Sequence, residues 1–327
     1  MFQPSAEKKL LSDHMPFIGK SKNECFIGWN ILCQMKFSSE WKYFNNGFMC
    51  PDETQEQYAN RLMHIAAKLN AAATTETPAF ICLQECPETD ASRTHFAEAL
   101  KKGELQHYGI NFYNNNDDEY YLITLYDARR YTPVDKLSEE MSHVQLSEGL
   151  KGRVQPLVYS SNKTGEVFLV INVHANFSKD VKQDVNALYQ RAKELGIKNI
   201  ILLGDFNRDL VLESDDYSKH DISKALDSSH RLAGDLYVSA THGASFCTKY
   251  DKETEKKGQG LETRDGVIST FPVDTVCMTN ANSPDVALSY TREISPHLSS
   301  IPDGFLEKLL PKIDDATSSA SKAPSKL

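Results

Sequence analysis

Asp205 and Asn207 set a carboxylate and an amide two residues apart, directly after the apolar run Ile200-Ile201-Leu202-Leu203-Gly204. That run is short, β-branched and closed by glycine, so it predicts a buried strand. Alternation then turns both side chains the same way. A carboxylate that can take a proton, beside an amide that can orient an oxygen, is suited to phosphoester hydrolysis. Other predicted strand ends carry similar groups. Trp29-Asn30 and Gln84-Glu85 close two of them, and Asn172-Val173-His174 sets an amide and an imidazole on one face. Arg264-Asp265 precedes a further apolar run, and Ser12-Asp13-His14-Met15-Pro16 stands before the first strand. Clustered carboxylates repel one another unless a cation lies among them, and oxygen donors of this kind select a hard divalent ion such as Mg²⁺, with Mn²⁺ as a substitute.

Bringing such groups together requires many short strands ending at one rim. Residues 16–19 and 25–29 are apolar runs separated by Lys20-Ser21-Lys22-Asn23, which predicts a hairpin. After an aromatic, Asn-rich loop at 37–50 comes a helix. Its expected N-cap is Asp52, with Gln55 at the capping-box position, and Tyr58, Leu62, Ile65, Ala66 and Leu69 form its apolar face. Strands are predicted at 79–83, 120–126, 154–159, 167–173 and 200–204, then at 266–269, 275–278 and 286–289. Helices are predicted at 92–102, closed by Gly103, at 178–196, between Ser178 and Gly196, and at 221–232. Residues 249–259 read as a charged surface loop. Short strands interleaved with amphipathic helices predict an α+β fold, a β-sandwich flanked by helices, over residues 1–313 as a single domain. Residues 314–327, rich in Ser, Ala, Lys and Pro, predict a disordered tail.

A net charge of −9 argues against a broad non-specific nucleic-acid surface, while leaving room for a local basic rim. Arg153, Lys179, Arg208 and Arg264 are the candidate rim cations. The seven cysteines form no CxxC pair and no zinc-ligand spacing, which predicts reduced thiols in an intracellular compartment. Residues 1–11 lack a signal-peptide core, and no apolar run reaches membrane-spanning length, so a soluble protein is expected. The Ser/Lys-rich tail and the unusual motif order also suit a bacterial protein exported into a host cell.

Taken together, Trp29-Asn30, Gln84-Glu85, Asn172-Val173-His174, Gly204-Asp205-Phe206-Asn207, Asp265 and Ser12-Asp13-His14-Met15-Pro16 resemble the motif set of the endonuclease/exonuclease/phosphatase superfamily. The resemblance spans residues 12–297 and implies a four-layer α/β/β/α sandwich of two mostly antiparallel sheets. One motif is displaced. Ser-Asp-His-x-Pro normally closes the family domain, whereas here it opens the chain, which implies circular permutation with the usual last strand placed first. The competing placement gives the site histidine to Ser295-Pro296-His297-Leu298, a stretch without the Asp or the following Pro.

The resemblance implies roles residue by residue. Glu85 is the principal metal ligand, with Asn30 and Asp13 in the inner or second shell. Asp205 orients or deprotonates the attacking water, and Asn207 holds that water or a phosphate oxygen. His14 is base or charge stabiliser, oriented by Asp265, and His174 donates to a non-bridging oxygen. Whether Asp205 or His14 activates water stays open. Arg153, Arg208, Arg264 and Asn172 are assigned to substrate binding. Asn30-Ile31-Leu32-Cys33, then Tyr58 and Arg61 ahead of Gln84-Glu85, are similar to deadenylase-like members, which implies a 3′-exonuclease on RNA. The alternatives are an inositol-phosphate or phosphoinositide phosphatase, and a catalytically silent binding scaffold.

Overall fold

Among the described strands, the central ones (residues 25–30, 80–86, 167–174, 199–205 and 265–269) are buried on both faces, and the two faces meet different partners. The computed structural model describes residues 14, 16–21, 23–33, 54–87, 89–114, 121–176, 179, 181–207, 237–240, 246–247, 261–262, 265–271 and 275–278. All of them lie within one compact unit, Leu11–Thr279. Their elements are β1 (Phe17–Lys20), β2 (Cys25–Asn30), α1 (Gln55–Glu76), β3 (Phe80–Cys86), α2 (Asp90–Leu100), β4 (Tyr108–Asn114), β5 (Tyr121–Asp127), β6 (Tyr131–Pro133) and α3 (Asp135–Ser142). There follow β7 (Val154–Ser161), β8 (Val167–His174), α4 (Lys182–Glu194), β9 (Asn199–Asp205), β10 (Tyr237–Ala240), β11 (Phe246–Cys247), β12 (Leu261–Glu262), β13 (Asp265–Ser269) and β14 (Thr275–Met278).

Two six-stranded sheets result, in the orders β14-β1-β2-β3-β5-β4 and β10-β13-β9-β8-β7-β6, beside a small β11-β12 pair. Each sheet contains one parallel pair, β2 with β3 and β8 with β9, among antiparallel neighbours. Parity along the strands sorts the side chains into three apolar layers. Phe26, Phe80 and Cys82 of the first sheet meet Val170, Leu203 and Val267 of the second. Ile27, Trp29, Ile81, Leu83 and Ile123 face the other way, onto Leu62, Ile65 and Leu69 of α1 and Phe96 of α2. Leu169, Ile171, Ile200 and Leu202 pack against Val185, Leu188 and Ala192 of α4 and Met141 of α3. The architecture is therefore an α+β sandwich of four layers, helices outside and two mixed sheets within. Burying each such aliphatic side chain contributes about 1.5–3 kcal/mol.

Several expectations are corrected. Thr54, not Asp52, caps α1, because the Thr54-x-x-Gln57 box closes in both directions: Gln57 N–H donates to Thr54 Oγ1 and Thr54 N–H to Gln57 Oε1. The sequence offers the same acid-or-hydroxyl and Gln spacing in two registers, and only one forms. Helix α2 starts at Asp90 behind Thr89, not at Ser92, since Thr89 Oγ1 accepts from Ser92 N–H. Strands β4, β6, β10, β11 and β12 and helix α3 were not predicted. Strand β4 reads Tyr108-Gly109-Ile110-Asn111-Phe112, an edge strand with weak alternation. The predicted elements at 221–232 and 286–289, the loop at 249–259, Ser178 and the tail at 314–327 lie outside the described residues. Among the described residues no helix is long and apolar enough to cross a membrane.

Candidate active site

The C-terminal ends of the two parallel pairs meet at one rim. The parallel register sets Asn30 beside Gln84 and His174 beside Asp205, and the antiparallel register of β13 with β9 sets Asp265 opposite Asp205. In the second sheet alternation alone turns the site residues inward: His174 follows Val170, Asp205 follows Leu203 and Asp265 precedes Val267, all on the inter-sheet face. Glu85 needs more. Simple alternation from Leu83 would send it toward α1. Strand β3 instead breaks register with β5 between Leu83 and Cys86, and Glu85 adopts φ 51°. This bulge re-aims the carboxylate. Leu32 (φ 57°) and Asn207 (φ 51°) are also left-handed, so three of the four described non-glycine residues at positive φ lie at the rim.

The side chains converge. Asn30 Nδ2 donates to Glu85 Oε1 at 3.1 Å and to Asp205 Oδ2 at 3.0 Å, bridging the two sheets. His14 Nδ1 donates to Asp265 Oδ2 at 2.9 Å, and its Nε2 stands 3.6 Å from Asp205 Oδ2. His174 Nε2 lies 3.4 Å from Glu85 Oε1 and 3.8 Å from Asp205 Oδ2. All six residues are at most 3% exposed. Trp29 Nε1 donates to the His14 carbonyl at 2.9 Å, which fixes the segment preceding β1.

Asn207 N–H closes an Asx-type turn onto Asp205 Oδ1 at 2.7 Å, and its side-chain amide donates to the Ala175 carbonyl at 2.8 Å. Gly204 permits this corner: at φ 147°, a Cβ there would stand 2.2 Å from the Val173 carbonyl oxygen. Asn172, expected at the substrate, lies between the sheets and away from the rim. Its amide donates to Leu83 O and Ile123 O and accepts from Gln84 Nε2 at 2.7 Å, so it acts as a tie between sheets. That buried polar line runs on through Thr124 to Gln155. Arg153 is half-buried and touches the site through its backbone, accepting from His174 N–H at 2.9 Å. Asp13, Arg208, Arg264 and His297 lie outside the described residues.

Two residues that the sequence marks only through their resemblance to deadenylase-like members also contribute. Cys33 N–H donates to Glu85 Oε2 at 3.4 Å. Arg61 is buried and donates to the Ile31 carbonyl at 2.7 Å. The signal for Arg61 was present: a cation on the same helical face as Tyr58, Leu62 and Ile65 is out of place unless it has a buried partner. Burial holds the Cys86 thiol, next to Glu85, well above the usual thiol range, and the Glu85 charge adds to that shift.

No protein-family model matches this sequence, and no curated protein sequence matches it significantly. Solved structures similar to it include an endonuclease/exonuclease/phosphatase family protein from Leptotrichia buccalis, at 12% identity and TM-score 0.45, covering 75% of this chain and 87% of that one. Another is the endonuclease/exonuclease/phosphatase from Bacteroides vulgatus, at 14% identity and TM-score 0.42, covering 75% and 86%. A third is the human Nocturnin catalytic domain with bound sulfate, at 14% identity and TM-score 0.39, covering 78% and 82%.

Proposed function

We propose that this chain is a divalent-metal-dependent phosphoester hydrolase of the endonuclease/exonuclease/phosphatase type, acting as a phosphodiesterase on nucleic acid. One observation carries this reading. Glu85 from one sheet and Asp205 from the other meet at a single Asn30 amide, with the imidazoles of His174 and His14 beside them.

The donor set fits a hard cation. Glu85, Asp205 and Asp265 place three buried carboxylates around two imidazoles and one amide, an excess of negative charge that a divalent ion offsets. Glu85 would be the principal ligand to Mg²⁺, or Mn²⁺ in its place, with Asn30 and Asp13 in support; the same Asn30 amide ties Glu85 to Asp205. When bound, such an ion polarises the phosphoryl oxygens and stabilises the leaving group.

The remaining steps belong to the chain's own side chains. Asp265 accepts from His14 Nδ1, which fixes the tautomer and turns Nε2, the basic nitrogen, toward Asp205. An attacking water held between Asp205 and His14 gives up its proton there, and Asp265 stabilises the imidazolium that forms. His174 donates to a non-bridging phosphate oxygen, and Asn207 lines the same corner. Arg153, Arg208 and Arg264 supply the rim cations for a polyanionic substrate.

The permuted order is part of the same proposal. His14 enters the site from the segment before β1, and β1 pairs with β2 on one side and with β14 on the other. Joining a terminal strand to its sheet neighbour by a tight turn keeps every contact of the unpermuted arrangement.

The test offers purified protein Mg²⁺ with RNA, single- and double-stranded DNA, and phosphoinositides. Nucleic-acid cleavage that is lost in Glu85→Ala and His14→Ala supports the reading. Turnover of phosphoinositides alone would transfer the same site to a phosphatase. Turnover unchanged by either substitution would overturn it, and activity that survives deletion of residues 1–17 would overturn the permutation.

A further inference from the structure

We infer that Arg61 is a positioning residue that sets which end of the Asn30 amide faces the carboxylates. The relay runs through one peptide group. Arg61 Nη1 donates to the Ile31 carbonyl at 2.7 Å, and the N–H of that same peptide, carried by Leu32, donates to Asn30 Oδ1 at 3.1 Å. In a trans peptide the C=O and N–H point in opposite directions, so the two contacts grip the 31–32 plane from opposite sides. Leu32 N–H can only meet an acceptor. Asn30 Oδ1 is therefore committed to it, and the NH₂ end is left to serve Glu85 at 3.1 Å and Asp205 at 3.0 Å.

The neighbouring residues lock the same turn. Ile31 N–H donates to the Gln84 carbonyl at 3.0 Å, and Cys33 N–H reaches Glu85 Oε2 at 3.4 Å. Leu32 is held at φ 57°, a conformation that a branched side chain does not adopt unaided. Released from Arg61, this peptide can rotate to relieve Leu32, which turns Asn30 over and presents its oxygen to two carboxylates. Arg61 itself is 5% exposed, with its guanidinium 5.0 Å from the Tyr58 ring centroid, so helix α1 holds the group rigidly.

In its metal-binding consequence the inference rests on the proposed hydrolase site. The experiment compares wild type, Arg61→Met, Arg61→Lys, Asn30→Ala and the Arg61→Met/Asn30→Ala double variant. Native-state amide exchange at Leu32 and Cys33 is the first readout and needs no metal. It should rise at least about tenfold in Arg61→Met, with β7 and β8 unchanged, and by less in Arg61→Lys, which keeps a donor. Mn²⁺ affinity is the second, and should fall about 10–100-fold in Arg61→Met. In the Asn30→Ala background that loss should vanish, because both substitutions remove the same amide. If Arg61→Met does not fold, Arg61→Lys carries both readouts. Unchanged exchange at Leu32, or a full additive loss on Asn30→Ala, would overturn the inference. Wild-type Mn²⁺ binding and hydrolysis in Glu85→Gln would instead retire the hydrolase reading, and Leu32 exchange would still decide the role of Arg61.

Discussion

The two sheets deliver their site residues differently. In the second sheet His174, Asp205 and Asp265 occupy inward slots that continue the inter-sheet positions of Val170, Leu203 and Val267. No register shift intervenes on β8, β9 or β13. In the first sheet Glu85 reaches the same rim only through the bulge at Leu83/Cys86 and a left-handed backbone, beside Leu32, which is left-handed as well. Asn207 is left-handed too, but Asn tolerates that conformation far better than Glu or Leu does. Left-handed non-glycine residues cost of order 1–3 kcal/mol when the surroundings must impose them. The first sheet therefore stores strain at the site. The second provides a relaxed frame, and the polar tie from Gln84 to Asn172 holds the two in register.

The largest expected effects bear on whether both sheets serve one reaction. Asp205→Asn, from the relaxed side, and Glu85→Gln, from the strained side, should each lower turnover about 10²–10⁴-fold while far-UV circular dichroism stays native. Loss from one sheet only would break the idea of a shared site. Gly204→Ala tests how relaxed the second frame is. With a Cβ 2.2 Å from the Val173 carbonyl and φ at 147°, it should cost at least about 1–3 kcal/mol in urea denaturation. Asn172→Ala tests the tie. It leaves Gln84 Nε2 without its 2.7 Å acceptor and should cost about 1–3 kcal/mol, with hydrolysis falling only as far as the sheets slip.

A smaller effect concerns the layer between the sheets. Burial pushes the Cys82 thiol from 9.0 up to about 12. The folded state thus keeps a proton that the unfolded state loses above 9.0. Stability is full below that pH and falls as pH rises toward 12, by at most about 1.4 kcal/mol per pH unit for this one group. Thermal melts across that range, compared with Cys82→Ala, check the slope. In native protein near pH 8, Cys82 and Cys86 should also resist iodoacetamide, read by peptide mass spectrometry. The smallest expected effect is a control for strain. Thr77 is the fourth left-handed non-glycine residue, but it is exposed and caps α1 at φ 45°. Thr77→Gly should stabilise by about 0.5–1 kcal/mol without touching turnover, since glycine suits that position.

Much of this architecture was legible in the residues. Short, near-continuous apolar runs located β2, β3, β8, β9 and β13 to within a few residues, because each of these strands buries both faces and tolerates little else. The edge strand β4 and the short β6 escaped notice, since edges are under weaker apolar constraint. The start of α1 was misplaced because two capping boxes overlap in the sequence and only backbone geometry chooses between them. The inter-sheet bonding of Asn172 was not legible either. An amide at a strand end looks the same whether it faces a ligand or a neighbouring sheet.

Residue order alone determined which groups stand at strand ends, and with them the concentration of carboxylates, amides and imidazoles suited to phosphoester chemistry. Period-two alternation also determined which of these face inward, for every site residue on β8, β9 and β13. Tertiary structure decided the rest. The approach of His14 to Asp265 across 251 residues of sequence is set by the pairing of β1 and by the second sheet, not by any local signal. The aim of Glu85 and the grip of Arg61 on Ile31 depend on a bulge and a left-handed turn. Those are conformations that local preference disfavours, and only packing from both sides can hold them.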